Sequence, residues 1–157
     1  MRAAVEVVTS SGLRQVRRPT GDLVKAVLAA EGVTGSVVVA FVDEDTITEL
    51  NDRYRGLKEP TDVLTFRQAD SGMEWPEPAK KGSAELGEVA ICPEVVGRHA
   101  LDEGGDPNTQ LGWTIIHGAL HLLGYDHEQD AGQMRAREQL LLQELHRQVR
   151  AVSAAGK

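Results

Sequence analysis

The sequence predicts an α+β domain: a small mixed sheet of about four strands with several helices, and a zinc site at the end of a central helix. Three observations predict it. Short Val-rich segments recur at 3–9, 36–43, 61–68 and 86–92, with helical patterns between them. The chain of 157 residues is the length of one domain with one core, read as a single domain over 1–157. One apolar helical stretch ends in a cluster of histidines.

AAVEVVT (3–9) reads as the first strand, and the basic SGLRQVRRP as a connection. Thr20 is placed to cap a helix running to about Glu31, with Leu23, Val24, Val27 and Leu28 on one face and Gly32 as its stop. SVVVAFVD (36–43) is a β-branched run expected as a buried strand. Asp45 or Thr46 then caps a helix to about Tyr54, which Gly56 ends; Thr46 and Glu49 have capping-box spacing. TDVLTFRQ (61–68) and LGEVAIC (86–92) are strands on either side of 69–84, a segment rich in Pro, Gly and charge and read as an exposed loop. Pro93 opens a helix to about Leu101. Asp106–Pro107 opens another, which continues to Leu123 and stops at Gly124. A last helix spans about Gln129–Val149, followed by a frayed tail (150–157).

The net charge of −7 argues against a protein that coats nucleic acid through an overall basic surface. The acidity is uneven. Residues 1–67 hold 9 Lys/Arg against 10 Asp/Glu, and residues 68–157 hold 8 against 14. An anionic substrate is therefore expected to dock on the first part. Cys92 is the only cysteine, which excludes an internal disulfide and fits a cytoplasmic protein. The N-terminal segment has no signal-peptide core, and no segment approaches a membrane span.

HGALHLLGYDH (117–127) carries the chemistry. His117 and His121 are four apart, so on a helix they lie on one face about 6 Å apart along the axis. Both imidazoles can then reach one ion about 2 Å from each nitrogen. His127 would be out of reach on a continuing helix, but Gly124 permits the left-handed turn that folds the chain back. Three of the five histidines fall in these eleven residues, on an otherwise apolar helix. Three buried, unpaired imidazoles would be costly, which favours a metal site over scattered histidines. Three neutral ligands leave one zinc ion per chain its full charge and an open fourth position, the pattern of a catalytic site. The spacing is shared with metzincin proteases, which carry a Glu base after the first His. Gly118 stands there instead, so that proteolytic mechanism lacks its base. Met134 falls in a helical pattern and reads as core, not as a Met-turn.

With these residues the sequence resembles the YbeY family of bacterial endoribonucleases and rRNA maturation factors, over about residues 36–145. HGALHLLGYDH is similar to that family's signature. LNDRYRGLKEPTDVLTF (50–66) and LGEVAIC are similar to its second and third blocks. The resemblance implies that His117, His121 and His127 bind zinc and that Arg55 is the functional arginine. It also implies cleavage of single-stranded RNA in 16S rRNA 3′-end maturation and ribosome quality control. The implied partners are the small ribosomal subunit, one of its platform proteins and an Era-type GTPase. Thr65 stands where the family has Ser, Glu88 stands where it has Asp, and the loop 69–84 has no clear counterpart.

A guanidinium can hold two phosphoryl oxygens at once, the role assigned to Arg55. Arg53, Lys58 and Arg67 are candidates for the RNA backbone, and Asp126, Glu128 and Glu88 for orienting an imidazole. Activated water or the RNA 2′-OH can serve as nucleophile, and no general base is assigned. A zinc metallopeptidase-like hydrolase, a non-catalytic ribosome assembly factor and a small-molecule zinc hydrolase are the competing readings.

Overall fold

The computed structural model describes residues 3–9, 13–68, 85–126 and 129–155. The order of elements is β1 (Ala4–Val8), α1 (Arg14–Ala30), β2 (Ser36–Phe41), α2 (Glu44–Arg55), β3 (Val63–Arg67), β4 (Glu85–Ile91), α3 (Pro93–Asp102), α4 (Pro107–Leu122), α5 (Gln133–Glu144) and α6 (His146–Ala155). The strands form one sheet in the order β1-β2-β4-β3. β1 and β4 run parallel to β2, and β3 pairs antiparallel to β4, with Val63 opposite Ile91 and Arg67 opposite Gly87. The architecture is the α+β, mixed-sheet one expected from the sequence. The expected loop 69–84 lies outside the described residues.

The parallel strands are crossed by helices that bury their Val-rich faces. The main core joins Val37, Val39 and Ile91 of the sheet to Leu23 and Val27 of α1, Ile115 and Leu120 of α4, Leu141 of α5 and Val152 of α6. Met134 is fully buried in it, as core. A smaller cluster on the other face joins Leu64, Ala90 and Cys92 to Ile47 of α2 and Val95 of α3. Burial pushes the Cys92 thiol above its ordinary range, so it stays protonated and packs as a small apolar group. No helix among the described residues is long and apolar enough to cross a membrane.

Four local expectations are corrected. The first helix begins at Arg14, so Thr20 is buried inside it and the expected basic connection is mostly helical. Pro19 lies in the second turn of α1, where it forfeits the bond to the Gln15 carbonyl. Burial of Val16 and Thr20, on the same face as Leu23 and Val27, favours the extension. Next, α2 is capped by Asp43, not Asp45 or Thr46. The Asp43 carboxylate accepts from the Thr46 N–H at 2.8 Å, which leaves Glu44 and Asp45 in the first turn, where the helix dipole favours them.

The expected last helix is two helices. Gly132, at φ +100°, opens α5, and Asp130 accepts from the Gly132 and Met134 N–H groups. The break at Leu145 lets Leu141 on one helix and Val149 on the next both reach the core. The expected frayed tail is helical to Ala155, because Val152 is fully buried.

Candidate active site

α4 begins at Asp106, whose side chain accepts from the Asn108 N–H at 3.2 Å, and Pro107 occupies the first turn. From there the helix runs through the core and across β3 and β4. Gly118 is where it comes closest to the sheet: a Cβ there would stand 2.8 Å from a methyl of Val89. Even a methyl at this position would force the Val89 side chain to give way. Packing thus explains why no carboxylate base follows His117.

The two described histidines converge. His117 Nε2 and His121 Nε2 are 3.1 Å apart. Two nitrogens held by one tetrahedral zinc at about 2.0–2.1 Å would stand roughly 3.3 Å apart, so the pair fits such an ion. On its other side, His117 Nδ1 lies 2.5 Å from Glu138 Oε1, a carboxylate only 5% exposed. A carboxylate only accepts, so Nδ1 carries the proton and Nε2 presents its lone pair toward His121. Trp113 stacks on the His117 ring at 4.9 Å between centroids and 26° between planes, which further limits its rotation.

Beyond Leu122 the helix ends in the left-handed turn expected at the glycine. Gly124 takes φ +99°, and its N–H donates to the His121 carbonyl at 3.0 Å. A Cβ at Gly124 would meet the Arg67 guanidinium at 3.2 Å. Arg67 Nε donates to the Leu122 carbonyl at 3.3 Å, so the arginine sits across the C-terminal end of α4. The third expected ligand, His127, lies outside the described residues, as does Glu128. Among the described residues no three His, Cys, Asp or Glu side chains are grouped to hold a metal ion.

A cavity of about 460 Å³ opens over the two imidazoles. It is lined by His117, His121, Gly124, Tyr125 and Asp126 from α4 and the turn after it, by Thr61, Asp62, Thr65 and Arg67 from β3 and the segment before it, and by Arg55 at the end of α2. Arg55, Arg67 and Asp126 are thus brought to the histidines. Arg53 and Lys58 do not line the cavity. Arg53 is turned about 200° around α2 from Arg55 and instead pairs with Glu49 at 3.2 Å. Lys58 is exposed in the turn after α2. Glu88 is corrected as well: its neighbour Val89 packs on α4, so Glu88 faces the opposite side of the sheet, where it is exposed beside Phe66.

Several site residues escaped the sequence reading. Glu138 is one; it stands 21 residues from His117 and no local spacing links them. Asp62 and Tyr125 also line the cavity, and both sit inside motifs already singled out. Asp62 accepts from the Val63 N–H at 2.8 Å, fixing the entry to β3. The Tyr125 hydroxyl donates to Glu31 at 2.9 Å, and Arg137 Nε donates to the same carboxylate oxygen at 3.1 Å. Burial and the Glu31 carboxylate raise the Tyr125 phenol above its usual range. Asn51 is buried in α2 and donates to the Glu59 carbonyl at 2.9 Å, shaping the loop that carries Thr61 and Asp62 to the cavity.

A model of the Endoribonuclease YbeY family matches residues 7–146. The chain is 40% identical over 125 residues to an Endoribonuclease YbeY of Moorella thermoacetica, covering 76% of this chain and 80% of the relative. An Endoribonuclease YbeY of Roseiflexus sp. is 39% identical over 127 residues, covering 78% of this chain and 79% of its own length. In three dimensions the chain is similar to the solution structure of a Thermotoga maritima protein, with a TM-score of 0.60 and 26% identity over 94% of this chain and 88% of that one. The family match takes in every residue that lines the cavity, and the chain belongs to the Endoribonuclease YbeY family.

Proposed function

We propose that this chain is a zinc-dependent endoribonuclease of the cytoplasm that cuts single-stranded RNA, acting in 16S rRNA 3′-end maturation and ribosome quality control. Its proposed ligands for the ion are His117, His121 and His127. The observation that carries this reading is the convergence of His117 Nε2 and His121 Nε2 to 3.1 Å, with the His117 tautomer held by Glu138. A donor set of neutral imidazoles suits a borderline-soft dication. Such an ion supplies fixed positive charge beside a phosphodiester whose oxygens gain negative charge as the bond breaks.

The chain's own groups do the rest. Arg55, which lines the cavity, takes a phosphoryl oxygen pair through its guanidinium. Arg67 lies across the C-terminal end of α4, adding positive charge beside the turn at Gly124. Asp62 and Thr61 line the same opening and bring hydrogen-bonding groups suited to sugar hydroxyls. Asp126, beside the turn, orients an imidazole or a water. The family resemblance supports partners in the small ribosomal subunit, one of its platform proteins and an Era-type GTPase. A metallopeptidase reading is disfavoured by Gly118, where packing against Val89 leaves no room for the base.

The test is incubation of purified protein with single-stranded RNA, with and without a chelator, alongside His117→Ala and Arg55→Ala. Cleavage should stop with chelator and with His117→Ala. Arg55→Ala should keep its zinc and lose about 10²–10³-fold in turnover. Zinc content undiminished in His117→Ala, or cleavage undiminished by chelator, would refute the reading.

A further inference from the structure

Outside the cavity, the last turn of α2 carries an aromatic side chain that packing does not account for. Tyr54 is 60% exposed, and among the described residues no other aromatic is exposed. Its ring meets Phe66 edge-on, with centroids 4.9 Å apart and planes at 64°, and Leu57 beside it is 43% exposed. An edge contact anchors the tyrosine while leaving most of its ring in water.

The position of this patch is what gives it a meaning. Arg55, next to Tyr54 on α2, lines the cavity. Thr65 and Arg67, the neighbours of Phe66 on β3, line it as well, while Phe66 packs on the smaller cluster across the sheet. Among the described residues β3 is an outermost strand, with Thr65 and Arg67 turned to the cavity and Phe66 to the other side. A strand held at Arg55 therefore has Tyr54, the next residue of α2, within reach. Arg53, Arg55 and Lys58 are all exposed around the patch. Cations that track a backbone beside an exposed aromatic ring are the two components of a site for single-stranded nucleic acid.

We infer that Tyr54, backed by Phe66, is a stacking subsite for one nucleobase of single-stranded RNA, next to the nucleotide held in the cavity. The inference rests on the endoribonuclease reading and adds a base-binding position outside the cavity. Stacking tolerates any base, so the subsite supplies affinity and register, not sequence preference. A second aromatic or a hydroxyl is not required: the face of the ring does the binding.

The experiment measures binding of a short fluorescent 2′-O-methyl oligoribonucleotide to the zinc-loaded protein, with gel electrophoresis confirming that the strand stays intact. The same strand is then made abasic at one position at a time. Tyr54→Ala should weaken binding about 5- to 150-fold, and Tyr54→Phe should restore it. One abasic position should cost the unmodified protein a similar factor and cost Tyr54→Ala nothing further, a non-additivity that a merely structural role would not produce. The slope of affinity against salt should stay the same in Tyr54→Ala, because no ionic contact is removed. Unchanged binding by Tyr54→Ala, or full additivity at every position, would overturn the subsite and leave the patch to a protein partner. If the unmodified protein binds no single strand at all, the endoribonuclease reading itself fails, and the subsite with it.

Discussion

Glu138 accepts a hydrogen bond from the Nδ1–H of His117, and that contact decides which imidazole nitrogen can serve as a ligand. The carboxylate is almost fully buried, where a hydrogen-bond partner offsets the cost of leaving water. Glu138→Gln keeps the shape but presents a neutral acceptor, or after a flip a donor. Its zinc affinity should fall about 10- to 100-fold, measured by competition with a metal-binding dye. Equal affinity in the two proteins would show that the contact only packs α5 against α4. No such partner is visible at residue scale in the sequence: 138 belongs to a helical stretch in which a glutamate reads as a solvated face. The histidine spacing, by contrast, is local, and the 3.1 Å approach of His117 to His121 is what it requires.

Among the elements, α4 shows how packing limits chemistry. Gly118 lies against Val89, and a methyl group there would approach a β-branched side chain with little freedom to move. Gly118→Ala should cost about 1–3 kcal/mol in stability, read as a lowered denaturation midpoint. An unaltered midpoint would mean that helix and strand separate more easily than the contact implies. At the start of α2, the Thr46 hydroxyl and N–H hold the Asp43 carboxyl below its ordinary value of 3.8. Because the folded value is depressed, the cap's contribution is present in full above pH 3.8 and is lost as pH falls through the lower folded value. The stability difference between the unmodified protein and Asp43→Ala should therefore be constant near neutrality and shrink in acid. A difference independent of pH down to the acid transition would remove the charged cap. The sequence placed this cap two or three residues late. Asp43, Asp45 and Thr46 all have capping chemistry, and only the extended backbone at Asp43 selects among them.

For the whole molecule, a bound ion couples the site to folding. α4 runs through the main core, and its last turn carries His121. Zinc at about one hundred times its dissociation constant should stabilise the fold by about 2.7 kcal/mol, and chelation should remove that increment. The melting temperature of His117→Ala should not respond to added zinc; a zinc-dependent rise in that variant would place the ion elsewhere. Charge is also arranged at this scale. The chain carries −7 overall, yet Arg55 and Arg67 both reach the cavity, and both come from the near-neutral first part that was expected to receive an anion.

Periodicity and local spacing alone were sufficient to establish the α+β class, the strands and the histidine pair. These are properties of consecutive residues: a Val-rich run buries as a strand, and two side chains four apart share a helix face wherever the helix lies. The chain order alone could not reveal that Glu138 locks His117, that Glu88 faces away, that Arg53 and Arg55 part company, or that helical packing continues past Val149. Each of these depends on which faces meet after folding, and the energy of such a meeting belongs to residues distant in the chain. Only the assembled sheet and helices determine it.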